Sequence, residues 1–152
     1  MLAYAADDTR GVDARLLSSA ISKNMAMIPT LKMFSTTVTT DPHYMDPICA
    51  EVQQFHQLGG TLIFGTDVGY MTDYSTDGEF VELGRSGLDW KTVLAMLTTN
   101  PAFRMGVSGS KGTITPGKLA DLTILDADPA SDLTNFSRVH AVIRSGRVVW
   151  QR

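Results

Sequence analysis

Thr61-Leu-Ile-Phe-Gly-Thr-Asp67-Val-Gly69 is a run of mostly apolar, β-prone residues that ends in a Gly-Thr-Asp-Val-Gly turn. Such a run predicts a fully buried strand that delivers one carboxylate to a pocket at its carboxyl end. In a β/α barrel that end of the strands is where catalytic groups sit. Gly65 and Gly69 let the backbone turn sharply or approach a ligand, and they leave Asp67 as the only charge in the segment. The same segment also fits an acidic residue capping the turn after an ordinary strand. The flanking sequence has to decide between the two.

Upstream, Asp13 reads as an N-cap, and Leu16, Leu17, Ala20 and Ile21 recur at helical spacing, which predicts an amphipathic helix over residues 13–23. Residues 25–30 read as a short buried strand closed by Pro29-Thr30. Leu31 to Met45 is threonine-rich with little periodicity, which suits a loop lying over strand ends and touching a ligand, or an ordinary surface loop. Asp46-Pro47 opens a helix with Ile48, Val52, Phe55 and Leu58 on one face, and Gly59-Gly60 stops it.

Downstream of Asp67, residues 70–78 read as a polar and aromatic loop, followed by a short helix over 79–85. Asp89 caps a helix carrying Trp90, Val93, Leu94 and Leu97, which Asn100-Pro101 interrupts. From Gly112 the pattern changes to strands at 120–125, 139–143 and 147–150, the last two flanking a Ser145-Gly146 hairpin turn. The division falls near residue 106. The fold class expected is α/β: a partial TIM-type (β/α) barrel over 1–106, then C-terminal β-strands of a small β-sandwich over 107–152.

A closed barrel needs eight strands and typically about 250 residues, so this chain cannot close one. Open strand edges of a partial barrel would pair with another copy or with a missing N-terminal half, so a homo-oligomer or a completing partner is expected. A net charge of −3, with scattered lysines and arginines, gives no basic stripe for nucleic acid or an anionic membrane. No apolar run approaches the roughly 18 residues that span a bilayer, and the first residues are too short and acidic for a signal peptide, so the expected setting is cytoplasmic. The single cysteine, Cys49, sits in helical patterning and reads as a buried, inert thiol.

Three segments carry a family resemblance: Gly65-Thr-Asp67, Leu97-Thr-Thr-Asn-Pro-Ala102 through Gly106, and the long Gly112-Thr-Ile-Thr-Pro-Gly-Lys-Leu-Ala-Asp-Leu-Thr-Ile-Leu-Asp126. With the hairpin Val142-Ile-Arg-Ser-Gly-Arg-Val-Val149, they resemble the C-terminal portion of the metal-dependent amidohydrolase superfamily, in particular its imidazolonepropionase-like and prolidase-like members. The resemblance implies that Asp67 ends the last barrel strand, contacts a zinc-type divalent metal and handles the proton of the attacking water. It also implies a small-molecule substrate with an amide, cyclic amide or ester bond. Two departures qualify it. The His-x-His and further ligands of the family would lie upstream of Met1, and Tyr4 stands where relatives carry a histidine ligand. A phenol is a poorer metal ligand than imidazole, being neutral near pH 7.

The remaining chemistry is sparse. His43, His56 and His140 show no ligand spacing. His43 could face the pocket from its loop, whereas His56 and His140 fit surface or packing roles. Tyr70 and Tyr74, after Asp67, could line a substrate pocket or simply pack the loop. Ser108-Gly-Ser-Lys111 matches Ser-x-x-Lys, but in a glycine-rich connection where chance explains it. Two functions follow: a metal-dependent hydrolase whose site another half or copy completes, or a non-catalytic oligomeric remnant. A metal-independent esterase with its site at an oligomer interface is a third.

Overall fold

The computed structural model describes residues 13–37, 40–41 and 43–152. Tyr4 and the strand end expected at residues 2–5 lie outside them. Helix α1 (Ala14–Ser22) starts where Asp13 accepts a hydrogen bond from the Arg15 N–H at 2.8 Å. It leads to strand β1 (Ala26–Met27), helices α2 (Leu31–Thr37) and α3 (Met45–Gln57), and strand β2 (Thr61–Leu62). Helices α4 (Asp77–Arg85), α5 (Trp90–Leu97) and α6 (Thr99–Arg104) follow. Strands β1 and β2 are parallel, with Ala26 opposite Thr61 and Met27 opposite Leu62. The Ile63 N–H donates to the Met27 carbonyl at 2.9 Å, carrying the pairing toward the Asp67 turn.

Leu17, Leu31, Ile48, Val52, Phe55, Leu62, Leu83, Val93 and Met96 close one core between the helices and β2. Asn100 on α6 donates from Nδ2 to the Leu62 carbonyl at 2.8 Å, filling an acceptor on the strand. Phe64 stacks on Phe80 with ring centroids 4.8 Å apart, and Phe80 meets Phe136 at 5.5 Å. That aromatic line joins β2, through α4, to the C-terminal part of the chain.

The C-terminal part is an antiparallel sheet of β3 (Leu122–Leu125), β4 (Val139–Arg144) and β5 (Arg147–Gln151), in that order. A 3-10 turn at Leu133–Ser137 links β3 to β4. Ser145 and Gly146 have φ of 50° and 78°, the pair of left-handed residues that a type I′ hairpin requires. The Gly112–Asp126 motif is tied to the segments on either side of it. Asp121 pairs with Lys111 at 2.5 Å and accepts the Ser145 N–H at 2.7 Å, and Lys118 Nζ donates to the Ser108 and Lys111 carbonyls at 2.8 and 3.2 Å. Lys111 is therefore a partner of Asp121, not a catalytic base.

Several expectations are corrected. The predicted loop from Leu31 to Met45 contains α2, because the buried Glu79 carboxylate accepts the N–H groups of Leu31 and Lys32 at 3.0 and 2.7 Å. This cap comes from a distant part of the chain and leaves no local signal. The break expected at Asn100-Pro101 falls at Thr98, and Pro101 sits inside the first turn of α6, where a missing N–H costs nothing. Leu16, Leu58 and Leu94, expected on apolar faces, are exposed, while Leu17, Phe55 and Val93 beside them are buried. The segment around β2 is only partly buried: Leu62 is 1% exposed, but Thr61, Ile63 and Phe64 are intermediate, because β2 pairs only with β1 among the described residues.

Candidate functional site

Asp67 stands in the turn that follows β2, beyond the end of that short strand at Leu62. Its φ is 55°, a left-handed conformation that a side-chain-bearing residue adopts at a cost, and its side chain is exposed. Its carbonyl accepts the Tyr70 N–H at 3.2 Å, which closes a turn. Its carboxylate accepts no hydrogen bond from any described residue. Gly65 is explained by packing: a Cβ there would lie 2.5 Å from the Ile28 methyl, so the glycine admits β1 against β2. Gly69, at φ 114°, supplies the turn.

The other expected site residues scatter. Tyr70 is 69% exposed directly after the Asp67 turn. Tyr74 lines an open cavity of about 610 Å³ with Trp150, Arg138 and Arg152, and neither Asp67 nor Tyr70 is among its walls. His43 is engaged elsewhere: its Nδ1 lies 2.9 Å from Asp46, which also pairs with Arg85. The His43 contact, and then Arg85, hold the Asp46 carboxyl below the usual carboxylate range. His56 faces Thr92 at 3.5 Å, and His140 faces Asp126 at 2.8 Å. Cys49 is buried, and desolvation pushes its thiol up.

Sequence reasoning missed a buried polar cluster behind the loop at 68–76. Lys32, 3% exposed, reaches from α2 to the Ser75 carbonyl at 2.5 Å and to the Asp73 carboxylate at 2.7 Å. Glu79 is fully buried, and burial pushes its carboxyl up to about 7 against the opposing pull of the two N–H groups that it accepts. The one signal in sequence was a charged residue set among apolar ones at each place: Lys32 between Leu31 and Met33, and Glu79 beside Phe80.

A metal ion asks for three or four protein donors. Among the described residues no group of three His, Cys, Asp or Glu side chains is placed to hold one. Asp67 supplies a single donor, and the three histidines are occupied with other partners, so these residues do not by themselves fit a metal. No helix among the described residues is long and apolar enough to cross a membrane.

Comparison with known proteins gives the class. The model of the Amidohydrolase family matches residues 11–149, and the chain belongs to that family. It is 22% identical over 151 residues to the imidazolonepropionase of Thermoplasma volcanium, which takes in 93% of this chain and 37% of that protein. Its fold is similar to that of a Xaa-Pro dipeptidase crystallised with methionine in the active site, at a TM-score of 0.77 and 21% identity over 95% of this chain and 39% of that one. It is also similar to an amidohydrolase from Thermotoga maritima, at a TM-score of 0.69 and 24% identity over 91% of this chain and 35% of that one. The chain thus spans little more than a third of the length of these relatives.

Proposed function

We propose that this chain is the C-terminal portion of an amidohydrolase-type hydrolase, a partial barrel with C-terminal sandwich strands, in which Asp67 accepts a proton from the attacking water and passes it to the leaving group. The observation that carries this reading is the Asp67 carboxylate: exposed in the turn that follows the short parallel strand β2, in a strained conformation, and spent on no described hydrogen bond. A carboxylate so placed suits general-base work on an amide, cyclic amide or ester, worth about 10²–10⁴ in rate. The substrate is a small molecule, with the exposed Tyr70 of the same turn as its first aromatic contact.

The site is completed by residues beyond those described. Support comes from the open sheet: β1 and β2 pair only with each other among the described residues, and Met25 and Ile28 beside β1 are each 54% exposed. Parallel strands are ordinarily covered on both faces, so a second copy or an additional stretch of chain belongs here. In a completed site Asp67 would be one of several donors to a divalent ion, and the other donors would come from that completing part.

The test is hydrolysis of a panel of acyl-amino-acid anilides and p-nitrophenyl esters by the assembled protein and its Asp67→Asn variant. Loss of about 10²–10⁴-fold in kcat is expected. Full retained activity would refute the assignment.

A further inference from the structure

Helix α2 grips the loop that follows Asp67. Lys32 and Thr36, one turn apart, lie on the same face of α2. Lys32 Nζ reaches the Ser75 carbonyl at 2.5 Å and the Asp73 carboxylate at 2.7 Å, with the Asp73 carbonyl at 3.4 Å. Thr36 Oγ1 lies 3.1 Å from the sulfur of Met71. Asp73 in turn accepts the Ser75 N–H at 2.9 Å, which folds the loop around the ammonium.

The stem of Lys32 has been given room. A Cβ at Gly78 would lie 3.0 Å from its Cγ and 3.2 Å from its Cδ, so the glycine at the start of α4 lets the lysine pass. In the other direction, Glu79 on α4 caps the backbone of α2 at Leu31 and Lys32. The two helices are thus cross-tied, and the loop from residue 68 to 76 is held between them. The Lys32 hydrogen bond, followed by the Ser75 N–H, holds the Asp73 carboxyl below the usual carboxylate range, as a persistent ion pair requires.

We propose that Lys32 is the positioning residue of the candidate site: by fixing Asp73 and Ser75 it sets the path of the loop and so the placement of Tyr70 and Asp67 against a substrate. The inference rests on the reading of Asp67 given above. Lys32 itself touches no reacting atom. Lys32 is 3% exposed, and its ammonium is surrounded by loop acceptors.

The test uses Lys32→Met, which keeps the apolar stem against Gly78 and deletes the charge, and Asp73→Asn, which alters only the exposed partner. Chymotrypsin cleavage at Tyr70 and Tyr74 should accelerate about tenfold in Lys32→Met and less in Asp73→Asn, with cleavage elsewhere and the urea midpoint nearly unchanged. In hydrolysis assays kcat should fall about tenfold or more while KM moves less, since misplacement by about 1 Å can cost 10²-fold. Unaltered cleavage at the two tyrosines in both variants would overturn the proposal. If Lys32→Met is digested throughout its length, Asp73→Asn decides: selective cleavage at the tyrosines supports the proposal, and wild-type behaviour overturns it. Should Asp67→Asn prove as active as the wild type, the hydrolase reading fails by itself, and the cleavage pattern still judges the Lys32 clamp.

Discussion

Asp121, at the edge of the C-terminal sheet, holds Lys111 at 2.5 Å and the Ser145 N–H at 2.7 Å. Asp67, in the turn after β2, is exposed, carries a φ of 55°, and its carboxylate accepts nothing from the described residues. Both carboxylates lie in segments that carry the family resemblance, yet one is consumed by the fold and the other has no partner among the described residues. The segment that made the resemblance most specific, Gly112 to Asp126, turns out to be the more structural of the two. Its Asp121 ties the preceding loop to the hairpin, and the Lys111 ammonium, followed by the Ser145 N–H, draws the Asp121 carboxyl down. The short Gly-Thr-Asp, which identifies little by itself, is where a carboxylate is left without a partner among the described residues.

The largest effect that would sharpen this contrast is on chemistry: Asp67→Asn is expected to lower kcat by about 10²–10⁴-fold, whereas Asp121→Asn lowers the rate only in proportion to the folded protein lost. Next comes stability in the C-terminal region. Asp121→Ala frees Lys111 and the Ser145 N–H at once, so the urea midpoint should fall, and Lys111→Met in the same background should add less than it does alone. Equal, additive losses would show that the two residues do not act as a pair.

Smaller still is a pH effect in the α/β region. Glu51 on α3 is 7% exposed, one of its oxygens has no partner, and burial pushes its carboxyl from 4.5 up to about 7. A raised acid binds its proton more tightly folded than unfolded, so stability is highest below about pH 4.5, declines as pH rises to about 7, and is level beyond. Glu51→Leu should therefore raise stability by about 1–3 kcal/mol at pH 8 and by less at pH 5. Urea titrations at the two pH values check this, and a gain independent of pH would contradict it. The smallest effect belongs to the hairpin: Gly146→Ala, at φ 78°, should cost about 1 kcal/mol in the same titration.

Much of the chain could be read from local patterns. Asp13 and Asp89 cap their helices, as short polar side chains before apolar periodicity do, with Asp89 accepting the Thr92 N–H at 2.8 Å. Ser145-Gly146 turns the hairpin, and the change from helices with parallel strands to antiparallel strands is visible in spacing alone. What could not be read depends on contacts between residues far apart in sequence. Helix α2 exists because a carboxylate 47 and 48 residues away caps it, so its own threonine-rich sequence looks like a loop. Lys32 and Glu79 were missed for the same reason. His43, which its loop could have turned toward the pocket, is a different case: its partner Asp46 is three residues on, at the start of α3, and Asp46 also pairs with Arg85 of α4.

Whether Asp67 is kept for chemistry and not for the fold is tested, without knowledge of a substrate, by urea unfolding of Asp67→Asn beside Asp121→Asn. Asparagine tolerates the left-handed backbone at least as well as aspartate, so Asp67→Asn should match the wild type within about 0.5 kcal/mol while Asp121→Asn unfolds at lower urea. A loss in Asp67→Asn as large as that in Asp121→Asn would make Asp67 a structural residue and contradict the account.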